Sequence, residues 1–132
     1  MTSRSLRRSP CWLRSCRSLL AAVLVGGCAS EVPVRSTLLE SLSSPTADLH
    51  LASSVAIRLP TGYERVLPAG SRWRAMGVLP QGVVFRPVGS VFAIEGRHVH
   101  EAYLVVRSGA VHGFYLPAES GFSPLTFPVP LP

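Results

Sequence analysis

Residues 48–59 alternate between apolar and polar side chains, and this pattern restricts the fold more than any other feature of the chain. Successive side chains of a β-strand point to opposite faces of a sheet, so a period of two puts all odd positions on one face. The odd face reads Leu49, Leu51, Ser53, Val55, Ile57 and Leu59. The segment therefore predicts a strand with one buried face.

Proline and glycine clusters then recur along the chain at intervals of about eight to twelve residues, which is typical of short strands joined by turns. The clusters are 60–62, 68–70, 80–82 and 87–90. This spacing predicts an all-β domain over residues 48–118, a small antiparallel barrel or sandwich of five to seven strands.

The last predicted hairpin joins residues 101–107 and 110–116 through the two-residue loop Ser108–Gly109. Both faces of these strands are apolar, which is typical of central strands and favours a closed or nearly closed barrel. Pairing Arg107 with Ala110 predicts an unbroken register with the opposed pairs Val105 and His112, Leu104 and Gly113, and Tyr103 and Phe114.

The first 27 residues have the three parts of a secretory signal: a basic start, a short apolar stretch over 19–25, and two small residues, Gly26 and Gly27. The four residues Val25-Gly26-Gly27-Cys28 resemble the lipobox of bacterial lipoproteins. The basic residues of this leader are Arg4, Arg7, Arg8, Arg14 and Arg17.

The resemblance implies cleavage between Gly27 and Cys28 and acylation of the Cys28 thiol, which would make membrane lipid a partner of the protein. Several acyl chains hold a protein stably on a bilayer, whereas one does not. Ala29 after the cysteine resembles outer-membrane sorting, so the expected location is the outer membrane, facing the periplasm. The alternative is an ordinary buried Cys28 near the start of a cytosolic protein.

The net charge of +6 belongs mainly to the predicted leader. Residues 28–132 keep eight of the thirteen Arg and all seven acidic residues, a net charge of +1. An electrostatic case for binding nucleic acid therefore fails, and no nucleic-acid partner is expected. Cys11 and Cys16 also lie in the leader, so the processed chain would have no disulfide.

Two segments flank the predicted domain. Residues 28–47 are rich in Ser and contain Pro33 and Pro45, which predicts a flexible lipidated tether. Residues 119–132 are rich in Pro, which opposes a central strand and predicts an extended C-terminal extension that either packs on the domain or binds a partner.

The candidate metal ligands are His98 and His100, since alternate residues of a strand project from one face. His112 falls on the opposite face in the hairpin register above, so the three imidazoles do not converge. Solvated histidines are therefore the favoured interpretation, and no cofactor is expected.

No catalytic constellation stands out. The chain has no Gly-x-Ser-x-Gly nucleophile motif, and Asp48 is its single Asp. The chain is therefore expected not to be an enzyme. Two other groups are expected to be a solvated exterior and a core rather than a ligand site: Arg72, Arg74, Arg86, Arg97 and Arg107, and Trp73, Phe85, Phe92, Tyr103, Phe114 and Tyr115.

These observations together predict a non-catalytic binding or scaffolding module of the cell envelope, with an envelope protein as its partner. The alternative is a periplasmic lipoprotein that binds a metal or another ligand through His98 and His100.

Overall fold

A computed structural model describes residues 30–132 of the chain. The predicted signal peptide, its cleavage after Gly27 and the lipidation of Cys28 lie outside the described residues. Within residues 30–132, no helix is long and apolar enough to cross a membrane.

Every regular element of the described chain is a β-strand, so the predicted all-β class is confirmed. Within residues 30–132 the strands number eleven rather than five to seven, partly because several have only two or three residues. They are β1 (Arg35–Ser36), β2 (Leu49–His50), β3 (Val55–Arg58), β4 (Glu64–Leu67), β5 (Arg72–Leu79), β6 (Gly82–Pro87), β7 (Ala93–Glu95), β8 (Val99–Glu101), β9 (Tyr103–Arg107), β10 (Ala110–Leu116) and β11 (Gly121–Pro130).

Seven strands form one antiparallel sheet in the order β1-β11-β10-β9-β6-β5-β2. The hairpins β3-β4 and β7-β8 form two further two-stranded sheets. Within the described residues, no ladder joins the two edges of the large sheet into a barrel. The architecture is therefore sandwich-like, one of the two that the turn spacing predicts.

The main core lies between one face of the large sheet and the two hairpins. The sheet contributes Trp73, Phe85 and Phe114, and the hairpins contribute Ile57 and Ile94. Trp73 packs edge-on against Phe92, with ring centroids 5.5 Å apart. Burying these large side chains is the main favourable term that holds the hairpins on the sheet.

The opposite face of the sheet has a smaller core that is covered by the N-terminal segment. Leu39 packs there against a buried cluster that includes Val84, Val105 and Phe122. The same segment hydrogen-bonds to both sides of the sheet. Ser36 pairs with Gly121 of β11, and Glu40 exchanges two backbone hydrogen bonds with Val78 of β5, at 2.8 and 3.0 Å.

These two attachments show that the large sheet is strongly curved. The four residue steps from Ser36 to Glu40 span at most about 14 Å. In a flat sheet, Ser36 and Glu40 would be about 29 Å apart, since they lie on the outer sides of β11 and β5 and six inter-strand spacings would separate them. The N-terminal segment can reach both strands only because the sheet coils around its smaller core.

The prediction of one continuous strand over 48–59 is wrong, whereas its prediction of which side chains are buried is confirmed for most of the segment. Leu51, Val55, Ile57 and Leu59 are all buried, as the period of two predicts. A bend at Ala52–Ser53 divides the segment, so that β2 pairs with β5 whereas β3 pairs with β4. Ser53, the polar member of the apolar face, is exposed at this bend.

The predicted register of the last hairpin is also wrong beyond Val111. Arg107 does pair with Ala110, but Val105 pairs with Gly113 and Leu104 with Phe114, because a bulge leaves His112 without a partner on β9. Without the bulge, odd and even residues of β10 would lie on opposite faces. The extra residue puts Val111 on the same face as Phe114, and both are buried in the main core.

Both predicted flanking segments contribute strands to the sheet. Residues 35–36 of the expected tether form β1, and Val32 is buried just ahead of it. Residues 121–130 of the expected extension form β11, which pairs with β10. The prolines are accommodated because β11 lies near the sheet edge, where only Arg35 and Ser36 pair with its outer side among the described residues.

Candidate functional site

The structure does not bring His98 and His100 onto one strand face. His98 lies exposed in the bend between β7 and β8, whereas His100 lies within β8. The Nδ1 atom of His100 is 2.5 Å from Oε1 of Glu119, which is hydrogen-bond distance. His112 lies apart from both, at the β10 bulge. No group of three or more metal-ligating side chains occurs within residues 30–132.

Three of the five candidate basic residues share one region of the sheet. Arg72 and Arg74 of β5 lie 3.6 and 3.8 Å from the carboxylate of Asp48. Arg74 is directly opposite Arg86 of β6. Asp48 thus partly neutralises the group, while Arg97 and Arg107 lie at two separate turns. This arrangement matches a solvated exterior better than an anion-binding cleft.

The candidate aromatic residues divide between the two faces of the sheet. Trp73, Phe85 and Phe114 are buried in the main core, as expected. Tyr103 and Tyr115 are paired across β9 and β10 on the other face, with ring centroids 6.3 Å apart. Tyr115 is buried, whereas Tyr103 keeps part of its ring accessible.

Tyr103 has an altered acidity because of its surroundings. Its hydroxyl group donates a hydrogen bond to Oε1 of Glu101 over 3.3 Å. Burial first, and then the negative charge of Glu101 and this hydrogen bond, raise the pKa of Tyr103 above its ordinary value of 10.0. A phenol that holds its proton in this way serves as a hydrogen-bond donor rather than as a base.

An open, apolar cleft of about 400 Å³ lies between the β3–β4 turn and β11. Phe127 stands at its wall with 77% of its surface exposed. The cleft is lined by Arg58, Leu59, Pro60, Gly62, Thr126, Phe127, Pro128 and Val129. A mostly apolar cleft with one cationic side chain is suited to binding an extended, apolar segment of another molecule.

Sequence patterns do not locate this cleft because its two walls are more than sixty residues apart in the chain. The available signal is the run of large apolar residues between prolines over 125–131. The prolines are typical of a surface segment, whereas large apolar side chains are unusual there. Exposed Phe127 is the residue that this signal identifies.

A second cleft, of about 480 Å³, lies where the described chain begins. It is lined by Glu31, Val32, Pro33, Val34, His100 and Glu119. Two carboxylates and one imidazole make it polar, in contrast to the cleft beside Phe127.

No family model, curated protein or solved structure matches this chain. The assignment of function therefore depends on the residues themselves.

The beginning of the described chain is fixed to the body. The carbonyl oxygen of Ser30 accepts a hydrogen bond from the backbone N–H of Arg97, at 3.0 Å. Gly96 beside it has no room for a side chain, since a Cβ there would lie 2.8 Å from both the Ser30 oxygen and Val32 Cγ2. Ser30, two residues after Cys28 in the sequence, is therefore already part of the folded body.

Proposed function

We propose that this protein is a lipid-anchored, non-catalytic binding or scaffolding module of the cell envelope, held by acylated Cys28 at the outer membrane and facing the periplasm. The observation that carries the proposal is the lipobox-like run from Val25 to Cys28, which ends four residues before Val32, the first buried residue of the described part of the chain. A signal sequence is removed from the mature protein, and the body that follows has its own core.

The composition of the body supports an envelope partner over nucleic acid. Residues 30–132 contain eight Arg and seven acidic residues. Arg65, Arg72 and Arg74 are engaged by carboxylates. A body with this balance has no dominant positive field to attract a polyanion.

The cleft beside Phe127 supports a binding role. An exposed aromatic side chain next to an apolar cleft is the kind of anchor that protein interfaces use. Thus the partner surface is expected to include an apolar segment that contacts Phe127.

Lipid attachment is tested by intact-mass measurement of the protein extracted from cell envelopes. The expected mass is that of residues 28–132 plus the diacylglyceryl and acyl groups. Cys28→Ser is expected to leave the leader in place and remove the lipid mass, whereas Cys11→Ser, the matched control within the leader, is expected to change neither. A full-length, unmodified chain in the cytosol would contradict the proposal.

The binding role is tested by placing a photo-crosslinking amino acid at Phe127 in intact cells, with Arg107 as an exposed control position. Adducts with one envelope protein from position 127 and none from 107 are expected. Labelling of a serine in residues 30–132 by a fluorophosphonate probe would instead indicate a hydrolase.

A further inference from the structure

We propose that the β7–β8 tip, residues 96–99, is the surface that this protein lays on the lipid bilayer, with Arg97 contacting lipid phosphates and Val99 entering the headgroup region. This inference rests on the lipid anchoring proposed above and adds an orientation to it. Four structural observations support it.

The first is the length of the connection between the anchor and the body. Two residue steps separate Cys28 from Ser30, and they span at most about 7 Å. Ser30 is itself hydrogen-bonded to Arg97 at 3.0 Å. Acyl chains on Cys28 would therefore hold the β7–β8 tip close to the bilayer surface.

The second is the fixed position of the first described residues. Val32 is 5% exposed and belongs to the main core. The backbone of Gly96 lies against both Ser30 and Val32, and Thr61 of the β3–β4 turn contacts the same glycine. The body cannot swing away from its attachment point without breaking these contacts, so the anchor determines which end faces the membrane.

The third is the chemistry of the tip itself. Arg97, His98 and Val99 are all exposed, and Val99 leaves 71% of its surface uncovered. Arginine forms paired hydrogen bonds with phosphate, and an adjacent apolar side chain adds affinity at the boundary between headgroups and acyl chains. An exposed valine next to an exposed arginine is suited to this boundary.

The fourth is how the neighbouring charges are paired. Glu95 forms an ion pair with Arg65 at 3.1 Å, and Glu119 is hydrogen-bonded to His100. Glu31 lines the polar cleft with His100. Within residues 30–132, no carboxylate lies at ion-pair distance from Arg97, so its charge is available to lipid phosphates.

The test uses the processed, lipidated protein reconstituted into vesicles of phosphatidylethanolamine and phosphatidylglycerol. A thiol-reactive, polarity-sensitive fluorophore is attached at Val99→Cys, since acylation blocks the thiol of Cys28. The control is Val91→Cys, two residues before β7, where the valine is 78% exposed. Blue-shifted emission and quenching by a lipid-borne quencher are expected at position 99 and not at position 91.

The contribution of Arg97 is tested in the labelled protein with Arg97→Glu, and Arg107→Glu at the distant β9–β10 turn is the matched control. Arg97→Glu is expected to reduce the blue shift in vesicles that contain phosphatidylglycerol, whereas Arg107→Glu leaves it unchanged. An equal loss with both variants would overturn the specific role of Arg97.

The number of labels per chain separates the two proposals. If each chain carries one label, the lipid anchoring stands. Solvent-like emission from the variant labelled at position 99, or equal emission from the variants labelled at positions 91 and 99, then overturns the proposed orientation alone. More than one label per chain reveals a free thiol at Cys28 or in a retained leader, and overturns the anchoring and the orientation together.

Discussion

The ring of Phe122 lies directly against Gly113, in the space where any other residue would have its side chain. A Cβ at position 113 would be 2.7 Å from Cε2 of that ring and would also clash with the carbonyl oxygen of Ser123. Gly113 follows the bulge at His112, and Phe122 belongs to the neighbouring strand. This contact lets β11 lie close on β10, so that Phe122 reaches the smaller core.

Gly113→Ala is expected to lower the free energy of unfolding by about 3 kcal/mol or more, because the clash with the Ser123 backbone cannot be relieved by a change of rotamer. Urea denaturation measures the loss. Gly89→Ala is the control, since its site is open and only the positive φ of 75° penalises the substitution, by about 1–2 kcal/mol. Equal losses in the two variants would show that the contact is unimportant.

Trp73→Ala is expected to destabilise the protein by about 3–5 kcal/mol, the usual range for deleting a large buried aromatic residue. Trp73 is 1% exposed, and its indole N–H donates a hydrogen bond to Ser71 Oγ over 3.0 Å. Val66→Ala is the control, since Val66 is 52% exposed and its loss is expected to cost at most about 0.5 kcal/mol. Denaturation followed by circular dichroism distinguishes the two.

Titration of Tyr103 is expected to make the fold less stable in alkaline solution. Since the pKa of Tyr103 is raised in the folded state, its contribution is fully present below pH 10, the ordinary value, and is lost as the pH rises through the folded-state pKa. Tyr103→Phe is expected to weaken this alkaline loss, as measured by denaturation at a series of pH values.

Glu101→Gln separates the causes of that pKa shift. Removing the carboxylate charge is expected to lower the pKa of Tyr103 only part of the way, because burial is the larger cause. Phenolate absorbance reports the titration, and Glu119→Gln, which has no contact with Tyr103, is the control. A pKa that is unchanged in Glu101→Gln would contradict the assigned role of Glu101.

Strand faces were predictable from this sequence wherever burial followed a local period. Leu51, Val55, Ile57 and Leu59 are buried as expected because they share one face of an alternating segment. The bulge at His112 was not predictable from the hairpin alone, since contacts with other strands decide which residues of β10 face the core. The cleft beside Phe127 was likewise hidden, because folding alone brings its two walls together.

The prolines of β11 are expected to prevent self-association through this strand. The N–H of Leu131 donates to the carbonyl oxygen of Gly109 on the β10 side, so the nitrogen of Pro130, one residue earlier, points to the other side. Pro130→Thr adds an N–H donor there, and Pro128→Thr adds a second. The double variant is expected to form dimers or larger species in analytical ultracentrifugation, whereas Pro60→Thr, in the β3–β4 turn, stays as the parent does.

Asp48→Asn is expected to change the free energy of unfolding only slightly at moderate salt. The substitution is expected to change how strongly the stability of the protein depends on salt. Asp48 lies between Arg72 and Arg74, whose side chains are 54% and 55% exposed, so its ion pairs contribute at most about 1 kcal/mol. Without this carboxylate, the two arginines and the directly opposed Arg86 would repel one another.

Added salt screens such repulsion, so the variant is expected to gain stability with salt more steeply than the parent protein does. Thermal unfolding at increasing concentrations of sodium chloride measures this difference. Glu64→Gln is the control, because Glu64 is exposed and lies apart from this cluster, on β4. If Asp48→Asn and Glu64→Gln follow the same salt dependence, the three arginines do not interact through Asp48.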